Sequence, residues 1–152
     1  MAGLVLSKDV IRGPLAPHAD SLRAGVSIEH RHSSGTLFAA RVSLSRSVSD
    51  SEVSDYDDLR IDLFAIPTWT ILGADPQFEL SLRARDYDSF RRFSSHGRQD
   101  EEVGVSITLN FTKAELYGFT PVLSLDASRT KSNIGLFEVD RHSVQLGIRS
   151  AF

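Results

Sequence analysis

Residues 103–111 read Val-Gly-Val-Ser-Ile-Thr-Leu-Asn-Phe, so that apolar side chains at odd positions alternate with small or polar ones at even positions. A period of two is typical of a β-strand with one apolar and one polar face. The pattern repeats in 22–29, 38–45, 78–85 and 143–152, where Ser150 interrupts the apolar set. Noisier runs cover 59–67 and 119–130, and Leu4–Val10 gives the weakest one. The sequence therefore predicts an all-β domain of about eight strands without a convincing helix.

The connections between these strands alternate in length. Long connections are expected at 13–20, 46–58, 86–99 and 131–142, and short ones at 32–35, 70–77 and 112–118. This order is typical of an antiparallel up-and-down barrel that spans an outer membrane, with its long loops at one end. We therefore predict that residues 1–152 form one transmembrane β-barrel domain or the C-terminal part of a larger barrel.

Alternation alone does not tell which face of each strand meets water. A soluble lipocalin-like barrel points its apolar set inward, whereas a membrane barrel points it toward lipid. Small residues are frequent in the less apolar set, and no lysine occurs between Lys8 and Lys113, which favours the membrane version with a narrow lumen. The charges predicted to face that lumen are Arg23, Glu29, Arg41, Arg60, Asp62, Glu79, Arg83, Arg85 and Asp126.

Composition narrows the function classes. The net charge of −3, the pI near 5.9 and the lack of a basic stripe argue against a nucleic-acid partner. The chain has no cysteine, which excludes disulfides and thiolate metal sites. It also has no apolar run long enough for a transmembrane helix, and Met1–Arg12 lacks the apolar core of a signal peptide. We therefore expect a mature region or a piece of a longer protein.

The sequence predicts no enzyme and no catalytic, cofactor or metal site. A barrel-type lipid A 3-O-deacylase would need His-x-Ser-Asn on a late strand, and Thr130 occupies the histidine position before Ser132 and Asn133. Without an imidazole, no general base can activate the serine. The histidines show no metal-ligand spacing; they are His18, His30, His32, His96 and His142.

Two charged loop groups keep two interpretations each. An acidic group could hold a divalent cation or bridge lipopolysaccharide through one, and an arginine group could meet lipopolysaccharide phosphates. Simple solvation explains both groups as well. The acidic group is Glu52, Asp55, Asp57 and Asp58, and the basic group is Arg91, Arg92 and Arg98.

The chain ends Gln145-Leu-Gly-Ile-Arg-Ser-Ala-Phe152. This stretch resembles the terminal β-signal of outer-membrane proteins, which has a polar residue, a glycine two positions later and a final aromatic. Ser150 departs from that pattern. The resemblance implies that Gln145, Gly147 and Phe152 form an assembly signal for the barrel-assembly machinery.

A broader resemblance covers the last third of the chain, in 118–129, 132–134, Asp140-Arg141 and the terminal strand. These stretches resemble the C-terminal barrel of the surface lipoprotein assembly modifier family. The resemblance implies a bacterial outer-membrane protein that moves lipoproteins to the cell surface, with lipoprotein clients and with outer-membrane lipid and lipopolysaccharide as surroundings. It also implies a preceding tetratricopeptide-repeat region and a barrel of more than eight strands.

Two other functions stay open at this stage. One is a small passive pore or structural outer-membrane barrel without a dedicated substrate. The other is a soluble lipocalin-like barrel that binds a ligand. Inward charges of both signs fit the family role and the passive pore equally well, so the sequence does not choose between these two.

Overall fold

The computed structural model describes residues 2–13, 16–49, 55–87, 90, 95–115 and 117–150. Its regular structure is one antiparallel sheet in which every strand pairs with the next one along the chain. The predicted all-β, up-and-down architecture with eight strands is confirmed. The strands are β1 (Ala2–Gly13), β2 (Ala16–Arg31), β3 (Leu37–Ser49), β4 (Tyr56–Ile66), β5 (Asp75–Tyr87), β6 (Arg98–Asn110), β7 (Phe119–Ser132) and β8 (Val139–Ser150).

The register gives the sheet two chemically different faces. We call the face that carries the cross-strand row Val26, Val42, Ile61, Leu82 and Val103 the apolar face. The opposite face carries the neighbouring row Gly25, Ser43, Arg60, Arg83 and Glu102, and we call it the polar face. Because side chains alternate along each strand, the period-two pattern of the sequence becomes this separation of faces.

Burial runs opposite to that of a soluble protein. Among the residues whose burial the structure describes, the buried apolar ones are Ala74, Pro76, Tyr87 and Leu109, whereas large apolar side chains such as Leu44, at 60%, are exposed. The sheet therefore shelters its polar face. The buried polar residues are Ser47, Asp58, Asp62, Asp100, Asn110, Thr120 and Thr130.

Crowding on the polar face fits this sheltering. A Cβ added at Gly104 would lie 2.6 Å from Ser81 Oγ and 3.6 Å from Ser128 Cβ. Glycine in a strand often marks a place where neighbouring groups approach closely. A Cβ at this position would therefore require the Ser81 hydroxyl to move.

The sheet is open within the part of the chain that the structure describes. β1 and β8 are its two outer strands, and no described pairing joins them. Each pairs along one edge, with β2 or with β7. Their other edges carry backbone donors and acceptors that face away from the sheet.

The predicted alternation of long and short connections is wrong in detail. β2 already begins at Ala16, so most of 13–20 is strand, and Gly13 pairs with Ala16. β3 likewise continues to Ser49 and β7 to Ser132. The apolar pattern stops before the strands do, because backbone pairing continues where the side chains become charged. The β2–β3, β4–β5 and β6–β7 connections join strands at one end of the sheet, the Gly35 end. The other connections join strands at the opposite end, the Gly97 end.

A tight turn closes the β4–β5 hairpin at the Gly35 end. Ile71 and Ala74 exchange both backbone hydrogen bonds, at 2.9 and 2.8 Å, around Leu72 and Gly73. Both turn residues have positive φ, 51° and 81°, as a type I′ turn requires. The helical elements in the described residues are the 3₁₀ turns Thr112–Ala114 and Gly135–Phe137. No helix of the described chain has the length and apolar character needed to cross a membrane.

Candidate functional site

The polar face gathers the charges that the sequence assigns to the lumen. The register puts all nine on this one face: Arg23, Glu29, Arg41, Arg60, Asp62, Glu79, Arg83, Arg85 and Asp126. That they share a face is a finding, whereas their contact with a lumen stays a prediction. The structure brings some of them into ion pairs and leaves others apart.

One ion-pair group lies in the middle of the face. Arg60 Nε donates to Asp62 Oδ1 at 2.7 Å, and Arg60 Nη2 donates to Glu79 Oε1 at 3.5 Å. Asp62 is 4% exposed. A carboxylate so sheltered is costly without a partner, and the charged hydrogen bond from Arg60 offsets that cost. Arg41, on the neighbouring strand, lies over the Phe64 ring at 5.8 Å.

A second group surrounds Asp58, which the sequence analysis assigned to an acidic loop group. Its side chain is 4% exposed and accepts hydrogen bonds from Arg83 Nε, from Arg85 Nε at 3.3 Å and from Ser45 Oγ at 3.4 Å. The acidic loop group of the sequence is therefore split. Asp55 caps the Ser49 backbone N–H at 2.6 Å, Asp57 lies on the apolar face, and Asp58 is a buried member of the polar face.

Arginines and aromatic rings stack at the Gly97 end of the polar face. The Arg85 guanidinium lies 4.4 Å from the Tyr56 ring, and its Nη1 donates to Tyr87 Oη at 2.9 Å. Arg98 lies 3.6 Å from the Phe137 ring and pairs with Asp100. Arginines on the polar face therefore contact both the Tyr87 and the Phe137 ring.

Glu102 joins the last two strands to this network. It accepts a hydrogen bond from Thr130 Oγ1 at 3.0 Å and pairs with Arg141 Nη1 at 3.3 Å. The sequence prediction missed Arg98, Asp100, Glu102 and Arg141 as members of the polar face. Their signal was present, because each continues the period-two phase of its strand beyond the last apolar neighbour.

Three predicted residues have other surroundings. Arg23 lies opposite Ser45, Glu29 opposite Ala39, and Asp126 between the small side chains of Ser106 and Ser143. None of the described ion pairs includes Arg23 or Asp126. Across the described residues, no group of three or more histidine, aspartate or glutamate side chains could hold a metal ion.

The apolar face has a charged boundary toward the Gly97 end. On each of seven strands, the residue two positions beyond the apolar run is ionisable. These residues include Arg46 and Asp57, which form an exposed ion pair at 3.8 Å. At the Gly35 end, Trp69 packs against Phe78 with ring centroids 5.9 Å apart. The boundary residues are Asp20, Arg46, Asp57, Asp86, Glu101, Arg129 and His142.

The apolar run shifts along the strands from β2 to β8. On β2 it ends at Ile28, which the register places level with His142 of β8. On β8 the run ends at Ile148 instead, so it has advanced by about one residue per strand. The rise is about 3.3 Å per residue, and neighbouring strands lie about 4.8 Å apart. An advance of one residue per strand therefore corresponds to a level apolar band, parallel to a membrane plane, on strands that tilt by about 35°.

A sequence model of the surface lipoprotein assembly modifier family matches residues 21–152. The chain belongs to the surface lipoprotein assembly modifier family. Neither the curated proteins nor the solved structures gave a significant match. The matched range takes in most of β2 and all of β3–β8, and therefore the whole charged network of the polar face.

In this family member, the side chains of Ser132 and Asn133 form hydrogen bonds to the backbone. The Asn133 side chain accepts from the Gln99 backbone N–H at 2.8 Å and donates to the Gly97 carbonyl at 3.0 Å. Ser132 Oγ accepts from the Ile134 backbone N–H at 3.2 Å. These contacts hold Gly97 and the start of β6 against the end of β7.

The predicted assembly signal of the family member lies on its outer strand. Gln145 and Gly147 share the polar face of β8, where Gln145 Nε2 donates to Ser143 Oγ at 3.2 Å. Around Gly147, no atom lies within 4 Å of an added Cβ. Phe152 lies outside the described residues. The role of the three residues as a signal stays a prediction.

Proposed function

We propose that this chain forms part of the wall of an outer-membrane β-barrel that takes part in translocating lipoproteins or displaying them on the cell surface. Membership of the surface lipoprotein assembly modifier family supports the lipoprotein role. The observation that carries the membrane role is the inverted burial: apolar side chains exposed on one face and charged side chains sheltered on the other.

In a soluble lipocalin-like barrel the apolar set would fill the interior. Here the sheltered positions hold carboxylates such as Asp58 and Asp62, each with an arginine partner, while Leu22 and Val26 are 62% and 57% exposed. Exposing such a continuous apolar face to water would cost about 25 cal/mol for every Å². Contact with lipid removes that cost, so the inverted burial favours the membrane.

The shape of the apolar band supports the same proposal. A level band on strands tilted by about 35° is what a flat hydrocarbon slab requires of a barrel. On β2 the band runs from Leu22 to Ile28, a length of about 20 Å along the strand and a height of about 16 Å at that tilt. Outer-membrane barrels carry an apolar band of about 25 Å.

In a membrane, the unpaired edges of the outer strands need hydrogen-bond partners. Backbone groups within a bilayer must be hydrogen-bonded inside the protein, so the free edges of β1 and β8 need partners. We infer that further strands of a longer family barrel, or the two edges themselves, complete the ring. The polar face then lines its lumen.

A lumen of this kind suits polypeptide passage. Its charges occur as pairs of opposite sign, such as Arg60 with Asp62 and Arg141 with Glu102. Paired charges keep a wall hydrated while they present little net field, so a segment of either sign meets no strong electrostatic barrier. A passive pore would share this property, and therefore dependence on a lipoprotein client is the feature that separates the two functions.

The proposed role predicts a specific loss in the native host. Deleting the gene of the full protein should lower the fraction of a lipoprotein that protease removes from intact cells, with its total amount unchanged. Restoring the full gene should recover that fraction. An unchanged surface fraction for every lipoprotein, together with altered uptake of small solutes, would support the passive pore instead.

A further inference from the structure

A cavity of about 190 Å³ lies on the polar face near the Gly97 end, between β5, β6, β7, β8 and the turn Gly135–Phe137. Arg83, Arg85, Arg98 and Arg141 line it, and Leu136 and Phe137 close one side. A water molecule takes about 30 Å³ in the liquid, so the cavity has room for an oxyanion with some water. We propose that it binds a phosphate group, a property that goes beyond the proposed role in lipoprotein display.

The arginines of the cavity outnumber the carboxylates that reach them. Arg98 pairs with Asp100, and Arg141 pairs with Glu102. Arg83 and Arg85 share one carboxylate, that of Asp58. The two β5 arginines are therefore only half neutralised, and the group keeps one positive charge in excess.

Some guanidinium N–H groups of the cavity are also available to a ligand. In the described contacts Arg83 reaches Asp58 through Nε, and Arg141 reaches Glu102 through Nη1. The remaining N–H groups of these forks have no described protein acceptor. The side chain of Arg83 is only 26% exposed, so water satisfies its remaining donors poorly. A phosphate offers several oxygens in the geometry that an arginine fork matches.

The apolar side of the cavity distinguishes two sources of the phosphate group, a lipid headgroup and inorganic phosphate. Leu136 is 75% exposed and stands next to the Arg98–Phe137 stack. A lipid headgroup could place its phosphate on the arginines and its glycerol and first methylenes against Leu136. Inorganic phosphate would use the arginines alone. The chemistry that both sources share is the phosphate group.

Calorimetric titration of the purified chain in an uncharged maltoside detergent tests the site with two probes, inorganic phosphate and a short-chain phosphatidic acid. We expect saturable binding that Arg141→Gln weakens by about tenfold or more, the usual effect of removing a charged hydrogen bond. Arg129→Gln is the matched control. Arg129 has a similar exposure and its own acidic partner, Asp140, but it lies on the apolar face.

The two probes separate the sources. Tighter binding of the phosphatidic acid, with the gain lost in Leu136→Ser, assigns the site to a lipid headgroup, whereas equal affinities assign it to phosphate alone. Arg83→Lys keeps the charge but removes the fork, and it should weaken either probe. The absence of saturable binding, or equal weakening by Arg141→Gln and Arg129→Gln, overturns the proposal. Either result leaves the lipoprotein-display role untouched, because that role does not use the cavity.

Discussion

Asp62 and Leu63 are consecutive residues of β4, yet the aspartate is 4% exposed and the leucine 42%. Arg60 Nε compensates the sheltered carboxylate at 2.7 Å. Leu63 lies in a row with Ala40 and Leu80 on the apolar face. A soluble sheet would reverse the two exposures. The two neighbouring side chains therefore support the proposal of lipid on one side of the sheet and a hydrated lumen on the other.

Two neighbouring positions of β6 test that argument. Val105, 51% exposed, lies between Leu80 and Ala127, whereas Ser106 lies between Glu79 and Asp126. Val105→Arg should lower the free energy of unfolding by about 2–4 kcal/mol, because it puts a charge into the apolar band. Ser106→Arg should change it little, because two carboxylates flank the new guanidinium. Urea unfolding in lipid vesicles measures both values.

Spin labels at the same two positions identify the solvent. Label 105 should be quenched by a lipid-soluble agent and label 106 by a water-soluble one. If label 105 were shielded from both agents while label 106 met only the aqueous one, the lipocalin-like arrangement would replace the membrane barrel. Circular dichroism of each labelled chain should show an unchanged strand content.

Asp57 and Asp58 form a second matched pair, one on each face. Asp58→Asn removes the carboxylate that Arg83 and Arg85 share, and we expect a loss of about 3–5 kcal/mol, as for other broken buried ion pairs. Asp57→Asn removes one partner of an ion pair with Arg46 whose side chains are 61% and 74% exposed, and it should cost less than about 1 kcal/mol. Thermal unfolding at constant pH compares the two variants. Equal losses would mean that the Asp58 network does not hold the strands together.

Much of the sheet could be predicted because one physical signal dominates it. Alternation such as that of Val103 to Leu109 predicts both the strand and which of its residues share a face. Applied to each strand, it assigned nine charges to one face. No alternative secondary structure has that period.

The partners of those charges could not be predicted in the same way. Whether Arg83 meets Asp58 or Glu102 depends on the register between strands and on side-chain rotamers, which alternation does not contain. The strand ends were also missed, because residues such as Asp57, Glu101 and His142 interrupt the apolar set while the backbone pairing continues.

The Leu72–Gly73 turn offers a stabilising change. Leu72 has a φ of 51°, a left-handed conformation that a leucine adopts at a cost of about 1–2 kcal/mol, and it is 88% exposed. Leu72→Asn should raise the free energy of unfolding by about 0.5–1 kcal/mol, because Asn-Gly is the preferred type I′ sequence. Gly73→Ala should lower it by about 1 kcal/mol or more, since its φ is 81°. Unfolding curves that move the two variants in the same direction would contradict this account of the turn.

The effect of the predicted signal on assembly in cells can be measured apart from its effect on folding, because Gly147 has no close neighbours. No atom lies within 4 Å of a Cβ added there, so the double variant Gln145→Ala/Gly147→Ala should refold into vesicles with a stability within about 0.5 kcal/mol of the parent chain. In cells the same variant should reach the outer membrane in lower yield, because the assembly machinery would read this strand. Gly135→Ala is the control: its Cβ also meets nothing within 4 Å, and it lies outside the terminal strand. Equal cellular yields of the variant and the control, with refolding intact in both, would remove Gln145 and Gly147 from the signal.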